Sequence, residues 1–325
     1  MYPTLISPEW LEAHHNSTDI RIFDATLHED MTLSQAKHVF SKKHVKNSYQ
    51  LILREENATY DQVPKPQVFT KLATSQGLTR GVHAVIYDSD GKSAIRAWWL
   101  LQYYSHPKVS ILLGGLDAWS QRDFPVELKK LVKPSPAPET AFYANPRPGV
   151  VVGAEEVNRY IQREKQQPTV IENLQFQDSI QQYELATDQK SVLAKLDLGD
   201  LEPKDYEIKQ LVLSDDEQTD EYQNNALQTQ WKLFLDEAGW FRTDILKIKS
   251  IFRQNGVNIE LPITVTGNNL VDILHVVLAA FLCSGKGIDG LSVFFGGWDI
   301  FKNGIQKVFD DAGIIEKAPE EADDE

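Results

Sequence analysis

The chain has one cysteine, Cys283, among 325 residues. A single thiol excludes an intramolecular disulfide framework, a multi-cysteine zinc or iron–sulfur site and a CxxC redox pair. Basic residues are not in excess either: 33 Lys and Arg stand against 47 Asp and Glu, a net charge of −14, so the footprint of a nucleic-acid binder is missing. Long apolar runs are missing as well. The longest, Ile273–Cys283, has 11 residues, is interrupted by His275 and is too short to span a bilayer. The first Lys or Arg is Arg21, so the opening stretch has no basic n-region, and neither a secretory signal nor a clear transit peptide is expected. The sequons at Asn16 and Asn57 then read as chance matches. The eight histidines contain no H-x-x-x-H or H-E-x-x-H spacing, and the neighbours His14 and His15 cannot share a helical face, so no metal is expected.

What is present is enough apolar material for folded domains: 42% hydrophobic and 10% aromatic residues. At about 150 residues per domain, the length predicts two. Charge divides them. Residues 1–150 carry 17 basic and 15 acidic side chains, leaving 16 and 32 for the remainder. Most of that excess sits in residues 186–224, with 11 acidic and 4 basic, and in the tail 316–325, with 6 and 1. Such runs form either a solvated face or a docking surface for a basic partner.

Short apolar runs alternate with helical patterns. Ser7-Pro8-Glu9 predicts a helix start, with Ser7 as the cap and Pro8 in the first turn. Asp19–Ala25, His83–Asp88 and Val109–Leu113 predict strands. Pro64–Ala73, closed by Gly77, and the strongly apolar Ser93–Tyr104 predict helices. This alternation implies βαβ units around a parallel sheet. Five prolines in residues 134–148 mark a stiff linker. Beyond it the pattern restarts: VSILLGGLDAW at 109–119 returns as LSVFFGGWDIF at 291–301. Asp24, closing DIRIFD, is matched to Glu172, closing QPTVIE. The second copy is longer, and the acidic stretch 186–224 is where the extra chain is expected.

Taken in order, LISPEWLEAH, DIRIFDA, VPKPQVFTKLATSQGL, AVIYDSDGKSAIRAWWLLQYYSH, VSILLGGLDAW, FLDEAGWFRTDILKIKSIFRQNGVNIELPITVTG and FFGGWDIF resemble blocks of the tandem-domain rhodaneses, the thiosulfate and 3-mercaptopyruvate sulfurtransferase family. The resemblance covers most of both halves, except roughly 173–230. It implies an α/β fold of two tandem rhodanese-like domains, each a mostly parallel five-stranded sheet flanked by helices. The domains are expected at 1–125 and 150–315, joined by a Pro-rich linker at 126–149, with an acidic insertion at about 186–224 and an acidic tail at 316–325.

The resemblance also implies a nucleophilic cysteine directly after Ile263-Thr-Val-Thr266, in a loop patterned Cys-Gly-x-Gly-x-Thr. Amides of such a loop and of the following helix N-terminus cradle an anion and depress the thiol pKa. This chain reads Gly267, Asn268, Asn269, Leu270, Val271, Asp272. Gly267 has no side chain with which to attack sulfur, Leu270 replaces a glycine, and Asp272 brings a carboxylate expected to cap the helix and repel an anion. The strand-end arginine of the family corresponds to Leu174, the acids of the closing signature to Phe295 and Ile300, and the His-Ile-Pro-Gly-Ala turn survives only as His44–Ser48. In the first copy the equivalent loop is Asp88, Ser89, Asp90, Gly91, Lys92, Ser93, with Asp88 in the nucleophile's place.

Other motifs add little. Cys283 is expected to be a buried core thiol. Gly285-Lys-Gly-Ile-Asp-Gly290 matches G-x-G-x-x-G but follows a helix and precedes a strand, the reverse of a dinucleotide site. Gly91-Lys92-Ser93 resembles the end of a P-loop, yet Ile86 stands where its glycine is needed; its amides remain a place for a stray anion. Trp98, Trp99, Trp119 and Trp298 read as core. No cofactor is expected, and the chain is expected not to be an enzyme: a catalytically inactive rhodanese-like subunit that docks in a larger assembly, with mitochondrial residence, in a respiratory-chain complex, ahead of cytoplasmic. Its protein partners would be met through the acidic insertion and tail. Two alternatives stand beside it, an active sulfurtransferase with a non-standard nucleophile and a regulatory module binding a metabolite or peptide.

Overall fold

The computed structural model describes residues 3–128, 141–153, 156–157, 210–213, 227–267, 269–285, 287–295, 307–309 and 314–316. The acidic tail after 316, most of 186–224, Glu172, Leu174, Trp298 and Ile300 lie outside the described residues.

The first half runs β1 (Leu5–Ile6), α1 (Pro8–His14), β2 (Ile20–Asp24), α2 (Leu33–Lys42), β3 (His44–Val45), β4 (Tyr49–Gln50), α3 (Pro66–Ser75), β5 (His83–Tyr87), α4 (Ser93–Tyr103), β6 (Val109–Leu112), α5 (Gly115–Ser120) and β7 (Val126–Glu127). α1 starts as its sequence predicts, with Ser7 Oγ accepting from the Trp10 amide and Pro8 in the first turn. α2 lies in a polar stretch that the apolar pattern passes over, although Thr32 and Gln35 close a reciprocal capping box there. The main sheet is parallel throughout, in the order β1-β6-β5-β2-β4, while β3 and β7 pair separately and antiparallel. β5 and β6 are buried along their whole length because helices cover both faces.

The second half repeats the plan with β8 (Gln210–Leu213), β9 (Leu227–Gln228), α6 (Ile245–Gln254), β10 (Ile263–Thr266), α7 (Leu270–Ser284) and β11 (Leu291–Phe294), followed by the antiparallel pair β12 (Lys307–Phe309) and β13 (Ile314–Glu316). Its parallel order is β11-β10-β8-β9. Val151 bridges Val293 in parallel, as Leu5 in β1 faces Ile111 in β6. Four strands and this single bridge thus stand where the first sheet has five strands. Gly285, with φ +65°, closes α7.

One expected match is wrong. Asp24 of β2 pairs with Tyr87, and the residue in that place in the second sheet is Leu213, paired with Thr266, not Glu172. The local patterns QPTVIE and QLVLS look alike, and only a partner strand far along the chain ranks them. Leu5 to Asp24 spans 19 positions, whereas Val151 to Leu213 spans 62. The extra chain therefore precedes β8, and the acidic stretch 186–224 contains a core strand.

The halves share one apolar interior, in which α4 meets α7. Trp98 and Phe281 meet edge to face at 4.9 Å, Trp99 and Phe295 at 5.5 Å. Both tryptophans are fully buried, as is Trp119 in a second cluster beneath β1, β2 and α5. Within the Pro-rich stretch, Ala141 bridges Thr79 and Phe142 packs on Phe69. Among the described residues no helix is long and apolar enough to cross a membrane.

Candidate functional site

The central strand of each sheet delivers its chain into a loop that opens a helix: β5 into α4, and β10 into α7. Amides at such a helix start attract negative charge, so the occupants of those amides decide what the loops can do.

In the first loop they are taken by the chain's own carboxylates. Asp88, 1% exposed, accepts at Oδ1 from the Gly91 amide (3.1 Å) and at Oδ2 from the Ala94 amide (2.7 Å). Asp90 Oδ1 accepts from the amides of Lys92 (3.0 Å) and Ser93 (2.9 Å), and the Ser93 hydroxyl donates to its Oδ2 at 2.7 Å. The amides expected to hold a stray anion are already paired. Burial, then the adjacent Asp90 charge, pushes the Asp88 carboxyl well above its ordinary range. Burial also acts upward on Asp90, but hydrogen bonds from Asp88 and from the Ser93 and Lys92 amides outweigh it and hold Asp90 low. Of the two, Asp88 therefore holds a proton the more tightly.

In the second loop, Gly267 follows β10 directly and is buried; Asn268 lies outside the described residues. The helix cap is Asn269, whose side chain accepts from the amides of Val271 (2.8 Å) and Asp272 (3.4 Å). The expectation that Asp272 caps α7 is corrected: it lies in the first turn, past the cap position. The Ile273 amide bonds the Asn269 carbonyl at 3.2 Å. Burial raises the carboxyl of Asp61, in the first half of the chain, while the Arg96 charge and then the Leu270 amide act the other way. Leu270 is 3% and Val271 9% exposed.

The second half also presses on the first loop. A tight turn around Asp236 presents Trp240, whose ring lies where a β-carbon on Gly91 would come within 3.2 Å. Lys92 Nζ sits 5.5 Å from the Trp231 ring centroid. His275 of α7, fully buried, packs between Trp231 and Phe241 with Nδ1 2.6 Å from the Val271 carbonyl. Burial lowers its pKa to about 4, the Val271 bond acting the other way. Sequence reading gave His275 no role, since it stands in no motif; an intruding histidine in an apolar helix was the available signal. The cavity bounded by Asp88, Gly91, Trp240, Phe241 and Leu278 measures about 20 Å³, room for one water. Cys283 is buried near the end of α7, and burial pushes its thiol up to about 11.

A rhodanese-like domain matches residues 7–122. The thiosulfate sulfurtransferase of Cricetulus griseus is 25% identical over 315 residues, covering 92% of this chain and 91% of the relative. Residues 7–122 thus carry a rhodanese-like domain, and over 92% of its length the chain is similar to thiosulfate and 3-mercaptopyruvate sulfurtransferases. Among solved structures, the rhodanese-fold 3-mercaptopyruvate sulfotransferase SseA of Escherichia coli aligns with a TM-score of 0.64 at 21% identity, over 91% of this chain and 99% of that one. A yeast mitochondrial complex I sub-stoichiometric sulfur transferase subunit aligns with a TM-score of 0.62 at 19% identity, over 91% and 95%. The rhodanese fold thus extends through both halves, as the repeated sheet order requires.

Proposed function

We propose that this rhodanese-like chain is catalytically inactive and serves as an accessory, docking subunit of a larger assembly, in the first instance a mitochondrial respiratory-chain complex. Gly267 carries the reading. It occupies the place directly after β10 where the family pattern has its cysteine, and it offers no nucleophile. Asn269 engages the amides of Val271 and Asp272 at the start of α7, so fewer donors are left there for a thiosulfate or persulfide. Cys283 is a poor substitute. It lies roughly 20 Å along α7 from the loop at 1.5 Å per residue, and a buried thiol with a pKa pushed up to about 11 holds almost no thiolate near neutrality.

The docking half of the reading rests on the fold shared with the complex I sulfur transferase subunit and on the excess acid of the second half, which suits a basic partner surface. Two measurements test it. Purified protein is expected to show no turnover of thiosulfate with cyanide, nor of 3-mercaptopyruvate; turnover abolished by Cys283→Ser would restore the enzyme. In native extract the protein is expected to co-migrate with a large complex, and a free species of about its own 36.9 kDa refutes the docking role.

A further inference from the structure

The acid that dominates the chain is missing from one stretch. No Asp or Glu occurs between Asp30 and Glu55, whereas Lys37, Lys42, Lys43 and Lys46 all fall there. α2 sorts these residues by face. Ala36 and Phe40 are buried, and Lys37, His38 and Lys42 are exposed on the side away from them. Lys43 closes the helix and Lys46 follows β3, both exposed. No described carboxylate forms an ion pair with any of the four lysines. Glu127 of β7 instead lies 3.8 Å from the buried His44 ring and accepts from the Asn47 amide at 3.3 Å. Apolar side chains stand among these charges. β7 pairs with β3, His44 against Glu127 and Val45 against Val126, so Lys43 and Leu128 lie at the same end of the pair. Val126 is 39% and Leu128 65% exposed.

We propose that this face rests on an anionic phospholipid surface, with the four lysines over the headgroups and Val126 and Leu128 inserted between them. Exposed aliphatic side chains ringed by cations are how a protein lies on a bilayer without spanning it. The choice of cation separates lipid from an acidic protein segment. Bidentate recognition of carboxylates uses the planar fork of arginine, and all four cations here are lysines. The net charge of −14 repels the rest of the molecule from an anionic surface, so the lysine face fixes the direction of approach. None of this depends on whether Gly267 leaves the chain inactive.

The test uses the full chain and vesicles of two compositions, phosphatidylcholine alone and phosphatidylcholine mixed with phosphatidylserine. Co-sedimentation is expected with the mixed vesicles only, weakening as salt is raised. A lysine beside an anionic surface is worth about fivefold in partitioning, so Lys42→Gln with Lys43→Gln should weaken binding by about twentyfold. Leu128→Ser should weaken it as well, by removing the inserted side chain. Lys71→Gln with Lys249→Gln takes the same charge from exposed sites on α3 and α6 and is expected to leave binding nearly intact. All of these substitutions are at exposed positions, and unchanged urea midpoints establish that the variants fold. Equal losses in the two lysine pairs would make net charge responsible and overturn the proposal, as would equal binding to the two kinds of vesicle. Binding of soluble poly-glutamate that needs Lys42 and Lys43, without binding to phosphatidylserine, would assign the face to an acidic protein segment and refute the lipid reading.

Discussion

Gly115 has φ +52°, and a β-carbon built on it would stand 2.1 Å from the Asp88 carbonyl oxygen and 3.0 Å from the Trp240 ring. The Leu116 amide bonds that same carbonyl at 2.8 Å, so α5 starts hard against the first loop. Gly115→Ala combines a backbone collision with an unfavourable conformation, each costing about 1–3 kcal/mol. Urea unfolding is expected to register a loss of about 2–5 kcal/mol. Gly81 supplies the control: nothing lies within 4 Å of its β-position, and its φ is not left-handed. Gly81→Ala should be neutral or gain up to about 1 kcal/mol by restricting the unfolded chain. The repeated Gly-Gly pair was legible as a repeat. Its purpose was not, because the Asp88 carbonyl arrives from another strand.

Among the elements, α7 depends on a cap that sequence reading assigned to Asp272. Asn269 and Asp272 are both good capping residues. The geometry selects Asn269, which alone sits one residue before the helix with extended backbone, φ −124° and ψ 127°. Asn269→Ala is expected to lower the unfolding free energy by about 1 kcal/mol, while Asn269→Asp, which keeps an acceptor, should lower it by clearly less. Equal losses in the two variants would disprove the cap. Strands were legible where they were long and apolar, as in β5 and β10. β8 was mistaken because four residues amid acidic chain carry too little local pattern, and the sheet position is awarded by pairing with β10.

For the whole molecule, buried histidines set the response to acid. Burial holds His83, His106 and His275 at about 4. Each is neutral in the folded protein and takes up a proton readily only when unfolded, where its pKa is about 6.5. Between those values the unfolded state binds more protons. Stability is therefore complete above about pH 6.5 and falls as pH drops toward 4. His275 alone is expected to contribute a loss of about 2 kcal/mol between pH 7 and pH 5. Asp24 and Asp88, raised mainly by burial, act in the opposite sense. The clean measurement is a comparison of slopes: urea midpoints of the native chain should fall more steeply from pH 7 to pH 5 than those of His275→Leu. Parallel slopes would show that His275 does not govern the interface.

The sequence alone determined the α/β class, the duplication, the family resemblance and the absence of a cysteine after β10, since each is written in residue types and spacings along one dimension. It also carried most helices and strands of the first half, where apolar runs and capping residues are local signals. Tertiary structure decided which segment completes the second sheet, that Asp88 and Asp90 fill the first loop, and that Val271 beside the second loop seats among Leu27, Ala36, Ile52 and Tyr60. Those outcomes join residues up to 244 positions apart, as Leu27 and Val271 are. A valine finds its pocket only when the two halves of the chain meet.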